Sequence, residues 1–184
     1  QTKSEGKNEV TPKRNAKQPK YYKYLDSAFP ANKNFKENQK LNQAFRELSR
    51  LDYKACPISA LLLIRSILET YTHIYVNEFS NKDKQDPLVM KGVPKNISSK
   101  PINALLKDYI APHLKKKFQC QDVSNKIELV TSKQNESMPV TQVLNYYVHT
   151  NQIYPSPEVI LNAWKDISVI TNKLDEILDQ YTGQ

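Results

Sequence analysis

The chain has 184 residues, 39% hydrophobic and 25% charged, which suits one domain with a substantial core and is short for two. Only three glycines occur (Gly6, Gly92, Gly183), so the interior has almost no residue free to take positive φ, and this argues against Walker-type phosphate loops and dinucleotide fingerprints. The formal charge is +8, and half of that excess lies in residues 1–20, where Lys3, Lys7, Lys13, Arg14, Lys17 and Lys20 face only Glu5 and Glu9.

Residues 1–20 carry no hydrophobic period and are expected to form a flexible, disordered basic linker, with a helical bundle domain over 21–184. The polar start at Gln1, with no apolar leader, reads as a cut within the linker of a longer polypeptide, so a further domain is expected upstream. "YYKYLDSAF" before Pro30 is an aromatic segment suited to packing back onto the domain. Leu41, Phe45, Leu48 and Leu51 then recur at spacings of three and four, predicting a helix over about 35–53.

In "ACPISALLLIRSILETYTHIYVNEF", Pro57 suits a first helical turn, and the segment is apolar around most of its circumference to about Phe79, so it is predicted as the central helix. Its apolar run "ISALLLIRSIL" is far below the ~20 residues that span a bilayer, and no membrane association is expected. Residues 80–100 are polar and broken by Pro87, Gly92 and Pro94, predicting a loop. "PINALLKDYI" predicts a short helix that Pro112 ends or kinks, with "LKKKFQC" continuing as a basic turn.

A weaker helix is predicted over about 121–131, and a buried one over 138–149 that ends at His149. The last segment is the clearest. Ser156 can cap, Pro157 fits the first turn, and Ile160, Trp164, Ile167, Ile170, Leu174, Ile177 and Tyr181 form one stripe along about 25 residues. Period-two alternation and internal repeats are both missing, so the fold class is all-α, a bundle of about five to seven helices.

Cys56 and Cys120 are far apart and match no metal-ligand spacing, which suits reduced thiols and a cytoplasmic location. No cofactor motif is present, and neither a cofactor nor a metal is expected; Glu69 and His73, at i and i+4, offer two ligands without a third nearby in sequence. Asn145 and His149 project from one helix face, one turn apart, and can hold a phosphate or a 2′-hydroxyl, with His149 moving the proton. The alternative is that His149 satisfies backbone groups at a helix end.

Arg65 and Glu69 lie in the most apolar helix, where an unpaired charge costs several kcal/mol. They either pair with each other or turn to a cleft where Arg65 faces His149 and binds phosphate. Lys115, Lys116 and Lys117 form a basic cluster beside His113 and Phe118, either a solvated turn or a nucleic-acid groove. Tyr147 can stack on a base or belong to the core.

The order "KLNQAFRELSRLDY", "PISALLLIRSILETYTHIYV", a long polar loop and "LNYYVHTNQIYPSPEVILNAWKDI" resembles a C-terminal helical domain of bacterial ParB-like proteins and, more distantly, the HEPN superfamily, over roughly residues 35–180. The resemblance implies a helical bundle, often dimeric, belonging to a larger DNA-associated or defence protein. It also implies possible binding of RNA or DNA and, in many HEPN proteins, metal-independent ribonuclease activity. The HEPN signature is Arg-x4-to-6-His. Asn145 and His149 match its later elements, while Leu144 stands where the arginine belongs, which leaves Arg65 on another helix as the candidate cation. The expectation is therefore an interaction and dimerisation module, with an endoribonuclease using His149 as the alternative.

Overall fold

The computed structural model describes residues 23–25, 38–81, 86–94, 96–132, 138–150 and 154–182, the side chain of Val148 excepted. The basic tail and most of the aromatic segment lie outside these residues. Helix α1 is Gln39–Leu48. It opens at Asn38, whose side chain accepts the Leu41 N–H at 3.0 Å, and it buries Leu41, Ala44, Phe45 and Leu48. It is shorter than its apolar period predicts. The Leu51 N–H still donates to the Glu47 carbonyl at 2.9 Å and its side chain packs on the core, and the chain then turns at Asp52, whose carboxylate accepts the Lys54 and Ala55 N–H groups at 3.0 and 3.4 Å.

Helix α2, Pro57–Ser80, has proline in its first turn and is the central helix that its apolar circumference predicts. Leu61, Ile64, Ile67, Leu68, Tyr75, Val76 and Phe79 are each at most 1% exposed. The loop that follows is organised. Asp86 accepts the Leu88 N–H at 2.7 Å, and the Met90 N–H donates to the Phe79 carbonyl at 2.8 Å. Gly92 has φ +76°, the left-handed region that glycine enters without a steric cost, and a short 3-10 turn at Ile97–Ser99 buries Ile97.

Helix α3 comprises Ile102–Ala104, a π-helical segment Leu105–Ile110, and Ala111–Lys117. Pro112 therefore does not end the helix, and "LKKK" is helical rather than a turn. The Ala111 N–H bonds back to Leu106, five residues earlier, and this wider turn makes room for a proline ring that would otherwise press on the carbonyl four residues before it. Gln119 then takes φ +54°, and the Cys120 N–H reaches back to Leu114 at 3.1 Å.

Helices α4 (Gln121–Thr131), α5 (Val140–His149) and α6 (Pro157–Thr182) complete the bundle. Helix α5 is not buried all round. Thr141 and Leu144 are buried, whereas Asn145, Tyr146 and His149 are exposed, because only one side of α5 packs on α2 and α4. Ser156 caps α6 by accepting the Val159 N–H at 3.4 Å. Six helices lie wholly within the described residues, no strand occurs among them, and the fold is all-α, as the sequence predicts.

Helices α2 and α6 share the longest packed seam, with Trp164 fully buried against Phe45. Within that seam Tyr71 donates its hydroxyl to Asp175 at 2.6 Å, and both residues are at most 1% exposed. Burial first, and then the Asp175 carboxylate, push the Tyr71 hydroxyl far above its ordinary pKa, so it stays a donor. The C-terminal ends of α2, α3 and α6 converge where Phe79, His113, Phe118 and Tyr181 make a continuous series of ring contacts at 5.0–5.4 Å. Edge-to-face contacts of this kind are each worth about 0.5–1.5 kcal/mol beyond the area they bury.

Candidate functional site

Arg65, Glu69 and His73 occupy i, i+4 and i+8 of α2, so they form one line along its surface. That line forms a wall of a cavity of about 340 Å³. Lys100 and Asn103, at the entry to α3, and Asn145 from α5 also line it. Arg65 Nε donates to Glu69 Oε1 at 2.7 Å, with both side chains about one third exposed (31% and 34%). The intrahelical pair is therefore formed, and it faces the cavity as well.

With Arg65 paired to Glu69, Lys100 is the other cation among the described residues of the cavity wall. The Asn103 side-chain oxygen is buried with no hydrogen-bond partner among the described residues. Leaving such an atom unpaired costs about 1–3 kcal/mol, which a ligand donor in the cavity would offset. Cationic, imidazole and amide groups together can accept a phosphate or a sugar hydroxyl.

Arg65 and Asn145 thus meet at one cavity. His149 is not among the residues that line it; it lies at the last position of α5, one turn beyond Asn145, and is exposed. Four lining residues carried a sequence signal: Arg65, Glu69 and His73 through their helical spacing, and Asn145 through its place one turn before His149. Lys100 and Asn103 carried none, because the fold of the preceding loop decides where they point.

A second cavity, of about 350 Å³, lies farther along α3. Lys91 from the loop, Tyr109, and Lys116 and Lys117 from the last turn of α3 line it, with Asp108 and His113. Lys115 is exposed and is not among the lining residues. Tyr147 is on α5, half-buried against the core, with its ring edge-on to Tyr146 at 5.3 Å.

His113 has a structural task. Its Nε2 lies 2.7 Å from the Leu88 carbonyl, which can only accept, so Nε2 carries the proton and Nδ1 accepts the Tyr75 hydroxyl at 2.9 Å. Burial holds the imidazole below its ordinary pKa, Lys117 adds to that, and the bond to Leu88 opposes it. A neutral ring thereby fastens the loop that carries Lys91 onto α2 and α3.

Charge is unevenly spread along the chain. Residues 86–120 hold seven lysines against Asp86 and Asp108, whereas residues 121–184 hold four lysines against eight carboxylates. The loop with α3 is therefore basic, and α4 with α6 acidic. No group of three or more His, Cys, Asp or Glu that could hold a metal ion occurs among the described residues. No described helix is long and apolar enough to cross a membrane. No protein-family model, curated protein or solved structure matches this chain.

Proposed function

We propose that this chain is a HEPN-like helical module of a larger bacterial ParB-like, DNA-associated or defence protein, which self-associates and takes a nucleic-acid strand at the Arg65 cavity. The observation that carries the reading is the meeting of Arg65, Lys100 and His73 with Asn145 and the unpaired Asn103 amide around one cavity. The cations and the Asn145 amide suit a phosphodiester, whose oxygens only accept, while the unpaired Asn103 oxygen, itself an acceptor, suits a donating sugar hydroxyl. Met138, just before α5, and Tyr146 within it are exposed apolar side chains that suit a docking role.

A second reading, a metal-independent endoribonuclease, is favoured by one observation: an imidazole, His73, stands in the same cavity as Arg65 and Asn145. There His73 would take the 2′-hydroxyl proton, His149 would reach the leaving 5′-oxygen only from one turn away, and Arg65 with Lys100 would stabilise the phosphorane charge.

Metal-free RNA cleavage, measured on wild type, His73→Ala and His149→Ala with light scattering on each, separates the two. The module reading expects a dimer that binds RNA or DNA without turnover in any of the three proteins. Cleavage lost in either variant, with fold and oligomer unchanged, would replace it with the nuclease reading. A monomer that binds no nucleic acid would overturn both.

A further inference from the structure

We infer that the cavity between Lys91 and the last turn of α3 is a second phosphate site, which extends the nucleic-acid footprint from the Arg65 cavity along α3. The inference rests on the nucleic-acid reading proposed above. It starts from the charge distribution, because residues 86–120 contain neither arginine nor glutamate and have seven lysines against two aspartates. The fold makes these residues one unit, a loop fastened over a helix.

Lysines in the last turn of a helix have an ordinary explanation, since cations there complement the helix dipole. Lys91 does not share it. It belongs to the loop, which two hydrogen bonds hold in place, Met90 N–H to Phe79 at 2.8 Å and Leu88 carbonyl to His113 at 2.7 Å. Those bonds fix Lys91 at the same cavity as Lys116 and Lys117, and all three are exposed. Three ammonium groups around one space repel one another, and Asp108 is the single carboxylate among the lining residues. A bound phosphodiester anion relieves that repulsion.

The ligand class follows from the lining. Ammonium groups bind phosphate as point charges, without demanding one fixed geometry, and the half-buried Tyr109 adds an aromatic side chain to the lining. Asn103 in the first cavity and Pro112 in the second lie nine residues apart on α3, at most about 14 Å at the ~1.5 Å per residue of a regular α-helix and less across the π segment, a span that a short single strand covers. The two cavities therefore give two phosphate contacts along α3, one near each of its ends.

The test is fluorescence anisotropy of a fluorescein-labelled oligothymidylate, and of the matching oligouridylate, about 12 nucleotides long. Affinities are measured across a salt series for the full chain and three variants: Lys91→Gln/Lys116→Gln/Lys117→Gln, Arg65→Gln/Lys100→Gln, and Lys165→Gln on exposed α6. Circular dichroism checks that each is folded. The lysine triple variant is expected to bind at least ~10-fold more weakly and to lower the salt slope by roughly 0.7, the contribution of one phosphate contact on a single strand.

An unchanged slope in the triple variant, while Arg65→Gln/Lys100→Gln weakens binding, would overturn the second site and leave the first. An equal effect from Lys165→Gln would reduce the result to overall charge and overturn the inference. Absence of binding by wild type would overturn the first site as well. Binding to phosphatidylserine vesicles but to neither oligonucleotide would make the basic face a lipid surface and refute both.

Discussion

Replacing Tyr71 by phenylalanine removes one oxygen from the seam between α2 and α6. The hydroxyl donates to Asp175 at 2.6 Å, and neither residue exceeds 1% exposure, so no water can take its place without opening the core. A hydrogen bond to a charged group contributes about 1.5–3 kcal/mol, and the loss is expected in that range. Asp175→Leu should cost a comparable amount, because it leaves the Tyr71 hydroxyl buried and unpaired. The double variant Tyr71→Phe/Asp175→Leu should lose less than the sum of the two single losses, since both remove the same hydrogen bond.

Trp164 is the single tryptophan and is fully buried beside Phe45, so its fluorescence reports unfolding in urea. With a slope of about 2 kcal/mol/M, a loss of 2 kcal/mol lowers the midpoint by about 1 M. A Tyr71→Phe shift equivalent to less than about 0.5 kcal/mol, or a double variant that loses the sum of the two single losses, would refute the coupling of these residues.

Three further outcomes are expected. His113 is held below its ordinary pKa, so the unfolded chain takes up the proton first as pH falls. Its contribution to stability is fully present above the unfolded value of about 6.5 and is lost progressively below it. The urea midpoint should fall more between about pH 7.5 and about pH 5 in wild type than in His113→Gln, and equal falls would contradict this. Gln119 sits at φ +54°, and Gln119→Gly should raise stability by about 0.5–1 kcal/mol in the same urea assay; a decrease would mean that no strain is relieved. Asn38→Ala removes the cap of α1 and should cost about 1 kcal/mol, read as a lower thermal midpoint, whereas an unchanged midpoint would show the cap to be idle.

The sequence by itself determined which segments are helical and which face most of them bury. The stripe from Ile160 to Ile177 is buried throughout, and Pro57 and Ser156 start their helices where their chemistry places them. Such features are local, set by spacing and by backbone groups within a few residues, so they can be read along the chain. One local reading gave way to another local choice, a π segment that accommodates Pro112, and one gave way to packing, since α5 buries only the side that meets α2 and α4. Only the tertiary structure decided the sites. Arg65 meets Lys100, Asn103 and Asn145, and Lys91 meets Lys116, because a loop fastened by the neutral His113 lies across two helices. Side chains far apart in sequence are joined by packing and by hydrogen bonds between elements, and hydrophobic period carries no record of which exposed polar groups those contacts bring together.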